Sequence, residues 1–170
     1  MSGLWGAGDR LKKDSPVFEA LGTLDELVSF LGIVKTQEES QKHLIGERKL
    51  YEILEEIQNH LFIIQAELAG SQKKLGSEKV MWLEEGITKI EKNIPPIKSF
   101  FLPGGVEIAA LLDYARTIAR KTERRIIALS VNSQVSDTIK QYINRLSSLL
   151  YTLARFVNVK EGKEEKPPTY

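Results

Sequence analysis

Cysteine is absent from the chain, which excludes disulfides, thiolate metal sites and a cysteine nucleophile together. Histidine is scarce: His43 sits in a polar stretch and His60 in a helical one, outside any H-x-x-x-H spacing, so histidine ligation of a metal is not expected. No apolar run reaches the roughly 18 residues of a membrane-spanning helix. The opening Met-Ser-Gly-Leu-Trp-Gly has neither the basic flank nor the apolar core of a signal peptide, so a soluble, cytoplasmic protein without a membrane partner is expected. A dominant charge is missing too. With 24 basic and 23 acidic side chains the formal net charge is +1, and the global field gives no reason to expect nucleic acid as partner. Any binding must come from local clusters.

What is present suits one helical domain. The chain has 170 residues, 42% of them hydrophobic, which is a natural size and composition for a single core. The expected organisation is one domain over 1–170, with an N-terminal loop at 1–14 and a flexible, charged tail at 161–170. Asp14, Ser15 and Pro16 read as a helix start, Ser15 or Asp14 being the cap and proline being tolerated in the first turn. Apolar residues then recur at three- and four-residue steps in five segments: about 16–36, 48–70, 77–92, 104–129 and 133–157. Pro95-Pro96 ends the third of these, because a residue before proline is pushed out of the helical region. No segment alternates with a period of two, so the expectation is an all-α five-helix bundle.

The fourth segment carries the most informative pattern. At about 100° per residue, Ile108, Leu111, Leu112, Ala115, Ala119, Thr122, Ile126 and Leu129 form one arc, bordered by Arg116, Arg120, Glu123 and Arg124. Arginine beside a buried face suits bidentate recognition of phosphate or carboxylate, although a salt-bridged surface helix uses the same residues. Upstream, Phe100-Phe101-Leu102-Pro103-Gly104-Gly105 sets aromatic rings on a turn whose glycines let a ligand approach the backbone. Asp25 and Glu26 lie close to the apolar positions of the first helix, where a carboxylate can hold an arginine in register. Asn144 and Arg145 flank a core face of the last helix. The glycine-rich stretch at 3–10 lacks the G-K-[ST] ending of a phosphate-binding Walker loop, and paired E-x-x-H motifs of a di-iron bundle are absent.

Four blocks together resemble the PduO-type ATP:cob(I)alamin adenosyltransferases, the corrinoid adenosyltransferase family. They are Lys13-Asp14-Ser15-Pro16; Phe18 through Gly22-Thr23-Leu24-Asp25-Glu26-Leu27; Phe100 to Gly105 continuing into Ala115-Arg116 through Arg124-Arg125; and Ile143-Asn144-Arg145 through Leu153-Ala154-Arg155. The resemblance implies a ferritin-like, adenosyltransferase-like bundle that forms a homotrimer with sites between subunits. It further implies transfer of the 5'-deoxyadenosyl group of ATP to the cobalt of reduced cobalamin, with release of triphosphate and use of Mg2+. A corrinoid reductase or a B12-dependent acceptor enzyme is the implied protein partner. Residue by residue, Arg116 resembles an arginine that pairs across the interface with the aspartate matching Asp25. Arg120 and Asn144 resemble ATP contacts, Lys13 a phosphate-binding lysine, and Arg124 matches the surrounding ATP motif. Phe100 resembles the aromatic that excludes the lower axial ligand of the corrinoid, leaving a four-coordinate cobalt(II) that is easier to reduce.

Two departures accompany the likeness. The family's N-terminal T-x-T-G-D-x-G-x-T loop, which wraps the ATP phosphates, has no counterpart here. Either the natural start lies upstream, or Gly6-Ala7-Gly8-Asp9 does a reduced version of that job, or ATP is bound poorly. Asp113 stands near the implied corrinoid pocket where relatives often carry histidine. The alternative functions are a non-catalytic corrinoid-binding homologue and a helical interaction or nucleic-acid-binding protein using the basic stripe.

Overall fold

Extended backbone at Ser15 followed by Pro16, whose ring pre-sets a helical φ, launches the first helix of the computed structural model, which describes residues 14–99 and 101–169. That helix, α1 (Pro16–Thr36), is followed by α2 (Glu38–Lys42), β1 (Leu44–Ile45), β2 (Arg48–Lys49), α3 (Leu50–Leu68), α4 (Ser77–Glu91), α5 (Glu107–Ser130) and α6 (Asp137–Lys160). The five long helices pack as neighbours in the order α3, α1, α5, α6 and α4. Each buries the stripe its sequence spacing defines: Leu24, Leu27 and Leu31 from α1, Leu54, Ile57, Leu61 and Ile64 from α3, Leu112, Ala115 and Ala119 from α5, and Ile143, Leu146, Leu150 and Leu153 from α6 are all fully buried. Burying a side chain of this size stabilises the fold by about 1.5–3 kcal/mol, and these stripes together hold the bundle.

The expected count of five helices is corrected to six among the described residues, with a small antiparallel pair added. Both additions come from the polar stretch between α1 and α3. Gln37 ends α1 and starts α2, and the Ser40 hydroxyl donates within 2.7 Å of both Lys35 O and Gln37 O, folding the chain back. Gly46, with φ of 66°, turns the strand pair that matches Leu44 with Lys49 and Ile45 with Arg48. Elements this short hold too few residues to show a period. The last helix also starts four residues later than its apolar spacing suggests, at Asp137, because Ser136 takes the cap position and accepts from Ile139 N–H at 3.4 Å.

Candidate active-site groove between α5 and α6

Antiparallel packing of α5 on α6 brings their polar borders together in register. Arg116 and Arg120 stand one turn apart on α5, facing Ser147, Ser148 and Tyr151 on α6, and Ile97 and Phe101 close the end of the groove. The groove is open to solvent along one side and holds about 510 Å³. Arg116 lies with its guanidinium carbon 5.9 Å from the Tyr151 ring centre, within cation–π range. Its Nε donates to Asp113 Oδ1 at 3.1 Å. One turn beyond Arg120, Glu123 accepts from Asn144 Nδ2 at 2.8 Å, which fixes the amide of α6 against α5. Arg124 is exposed beside it.

The other basic residues of α5 turn the opposite way. Lys121 pairs with Glu26, and Arg125 sits 3.6 Å from Glu19, both on α1. Between them Thr122, fully buried, donates to Thr23 O at 3.1 Å and to Ile118 O at 3.0 Å, locking the α1–α5 seam. The basic stripe is therefore split: Lys121 and Arg125 are salt-bridged to α1, while Arg116 and Arg120 line the groove on α6.

A second cleft of about 360 Å³ adjoins the first and shares Phe101 and Tyr151 with it. Asp113, Gly104, Gly105, Arg155 and Asn158 also line it. Asp113 is 8% exposed, and burial pushes its carboxyl above the usual aspartate range, opposed by Arg116 and by a backbone hydrogen bond at Gly104. Asp113 thus belongs to the second cleft while its partner Arg116 belongs to the first. Arg155, 4% exposed, forks onto Glu165 with Nε and Nη2 both at 2.7 Å and stands 5.2 Å from the Phe101 ring. Direct hydrogen bonding to Glu165 raises its pKa against the opposing cost of burial.

Of the residues singled out from sequence, Arg116, Arg120 and Asp113 line these two clefts, whereas Asn144 is exposed one turn before Ser147 on α6 and bonded to Glu123. Asp25 does not join them within the chain: it is exposed on α1, and Arg116 pairs with Asp113 instead. Lys13, Phe100 and the glycine-rich stretch at 3–10 lie outside the described residues. Tyr151, Asn158 and Glu165 carry no sequence assignment, yet all three line the clefts. The only sequence signal for Asn158 is a polar side chain among the apolar positions at the end of α6. His60 is buried in the core, bonded to Tyr142 at 3.1 Å and Glu56 at 3.0 Å, and among the described residues no group of three His, Asp or Glu side chains could hold a metal ion.

A family model described as cobalamin adenosyltransferase matches residues 1–157. The chain is 40% identical over 155 residues to the corrinoid adenosyltransferase PduO of Citrobacter freundii, covering 87% of this chain but 44% of that protein. It is 39% identical over 159 residues to the corrinoid adenosyltransferase of Bacillus subtilis strain 168, covering 91% and 81% respectively. The chain thus spans less than half the length of the PduO relative and most of the Bacillus one. Among solved structures, a phenylalanine-to-alanine variant of the PduO-type ATP:corrinoid adenosyltransferase from Lactobacillus reuteri, complexed with cobalamin and ATP, superposes with a TM-score of 0.89 at 32% identity over 99% of this chain and 93% of that one. An arginine-to-lysine variant of the Lactobacillus reuteri enzyme, complexed with ATP, gives 0.87 at 32% identity over 99% and 94%. With a family model matched over residues 1–157 and a relative 39% identical over most of both chains, the chain belongs to the cobalamin adenosyltransferase family.

Proposed function

We propose that this chain transfers the 5'-deoxyadenosyl group of ATP to the cobalt of a reduced corrinoid and releases triphosphate. The observation that carries this reading is the split of the α5 arginines, which leaves Arg116 and Arg120 facing a roomy groove beside the aromatic turn. In the reaction the C5'–oxygen bond breaks as the carbon–cobalt bond forms. Cobalt(I) supplies the electron pair and ends as cobalt(III), and the pair of the broken bond leaves on the triphosphate oxygen. Cobalt(I) is the nucleophile, so no serine, cysteine or histidine is needed for attack. The protein's work is to orient C5' and to neutralise the departing charge.

In this assignment Arg120 and Asn144 hold ATP, Lys13 and Arg124 add charge near its phosphates, and Asp113 lies on the corrinoid side. Phe100 blocks the lower axial position of the corrinoid. Arg116 meets Asp25 of the partner subunit in a homotrimer; Asp25 is exposed on α1, available to a neighbour, and Arg116 keeps 24% of its side chain exposed. Magnesium enters with the triphosphate as part of the substrate, since the described residues offer no three-ligand protein cage for it. A cytoplasmic setting, with a corrinoid reductase supplying electrons or a B12-dependent enzyme accepting the product, completes the reading. Anaerobic incubation with ATP and reduced cobalamin tests it. A light-sensitive cobalt–carbon product is expected. No product, with ATP binding retained, favours instead a corrinoid-binding homologue without activity.

A further inference from the structure

We infer that Asn158, supported by the Arg155–Glu165 pair, is the positioning residue that sets the aromatic turn at the corrinoid face. This inference rests on the function proposed above. Asn158 lies in the last turn of α6, far in sequence from the turn it touches. Its Nδ2 donates to Gly104 O at 2.8 Å and its Oδ1 accepts from Val106 N–H at 3.1 Å. Val106 is the N-cap residue of α5 and has no side-chain cap of its own. One amide from α6 therefore caps α5 and clamps the preceding turn in the same contact.

The glycine pair is shaped by this clamp. Gly104 and Gly105 have φ of 138° and 100°, and a Cβ added at Gly105 would stand 2.1 Å from Asn158 Oδ1. A side chain at Gly105 is excluded both by conformation and by the amide pressed against it.

A second anchor holds the other end of the turn. Leu102 N–H donates to Lys166 O at 2.9 Å, and Lys163 N–H donates to Asn158 O at 2.8 Å, so the segment after α6 doubles back along the turn. Glu165 in that segment is held by both donors of Arg155, whose Nη2 also donates to Pro95 O at 2.9 Å. The side chains of the pair are only 5% and 12% exposed. Hydrogen bonds at positions 102, 104 and 106 all trace back to the end of α6. The residues directly after Phe100 are thereby tied to the helix that carries Ser147 and Tyr151 on the ATP groove, so ATP side and corrinoid side share one rigid support. Asn158 spends both groups of its side-chain amide on the turn, and it acts through the turn.

The test uses the full chain carrying Asn158→Ala or Asn158→Asp. The first removes both bonds. The second keeps an acceptor for Val106 N–H but loses the donor to Gly104 O. Amide exchange across residues 101–107 of the free protein should rise about tenfold in Asn158→Ala and less in Asn158→Asp, while the middle of α6 is unchanged. The ATP dissociation constant should stay within about twofold of wild type. The fraction of cobalt(II) that becomes four-coordinate in the presence of ATP, read by electron paramagnetic resonance, should fall about fivefold or more, with kcat falling in step and KM for ATP constant. Unchanged exchange in both variants overturns the clamp. Faster exchange with a wild-type four-coordinate fraction overturns its link to the corrinoid. If wild type itself yields no four-coordinate cobalt, the functional reading fails, whereas the exchange arm still decides whether Asn158 holds the turn.

Discussion

Replacing Arg120 with alanine separates a ligand-binding arginine from a structural one more cleanly than any other single change in α5. Arg120 is exposed, and among the described residues it makes no hydrogen bond or ion pair. Its removal strands no partner, so folding stability should stay within about 0.5 kcal/mol. If its guanidinium binds ATP phosphate, the loss is that of charge-assisted hydrogen bonds, about 1.5–3 kcal/mol, which corresponds to about a tenfold to hundredfold rise in dissociation constant. Arg120→Lys keeps the charge but not the planar fork, and should lose roughly half as much free energy. Arg125→Ala is the control. Arg125 sits 3.6 Å from Glu19 on the α1 side, with the two side chains 52% and 51% exposed. An exposed pair of that kind contributes about 0–1 kcal/mol to folding and nothing to the groove. Calorimetric titration with magnesium ATP at constant ionic strength reads all three variants. Equal losses in Arg120→Ala and Arg125→Ala, or an Arg120→Ala affinity within about twofold of wild type, would refute the reasoning.

Three further outcomes follow from the same structure. Phe100→Ala should leave the ATP dissociation constant unchanged and slow turnover with cobalt(II) substrate; parallel losses in both would contradict its assignment to the corrinoid side. Tyr142→Phe should destabilise the fold by about 1–3 kcal/mol, lowering Tm by about 2–10 °C, because Tyr142 is fully buried and its hydroxyl is the partner of His60 Nδ1. With Nε2–H directed at the Glu56 carboxylate, Nδ1 must accept, and the substitution leaves it bare; a urea-unfolding change below about 0.3 kcal/mol at pH 8 would count against that tautomer. Burial, and secondarily Lys79, lower the His60 pKa below its ordinary 6.5, against an opposing pull from Glu56. The unfolded chain then takes up a proton where the native chain does not, so stability is lost as pH falls from 6.5 toward the lower native value. His60→Gln should flatten the urea midpoint across that window, and an unaltered slope would show that another group is responsible.

The long helices were legible because each repeats its apolar stripe over about three or more turns. Leu24, Leu27 and Leu31, or Leu146, Leu150 and Leu153, are spaced by the helix and buried by it. The five-residue α2 and the two-residue strands are too short to carry such a signal, and they are held by particular contacts of Ser40 and by the turn at Gly46. The arginine stripe was visible as an arc, but not its division. Which way Arg116 and Lys121 turn depends on Asp113 and Tyr151 on one side and Glu26 on the other, and two of those partners lie on other helices. The Asn158 clamp was beyond sequence reasoning altogether, because it joins residues more than fifty positions apart through a single amide. Glu165 read as one charge in a polar tail, whereas its meaning comes from the buried guanidinium it meets.

A single displacement that moves the adenosyl group of ATP to cobalt must release triphosphate in the same step. The most direct measurement is an anaerobic single-turnover reaction of the full-length protein with ATP and cobalt(I) cobalamin, quantifying adenosylated corrinoid and triphosphate in the same quenched samples. The two products should appear at equal rates and in equal amounts, and Arg120→Ala should slow both alike at subsaturating ATP. Triphosphate without the cobalt–carbon product, pyrophosphate and phosphate formed directly from ATP, or no product at saturating ATP would contradict a single displacement.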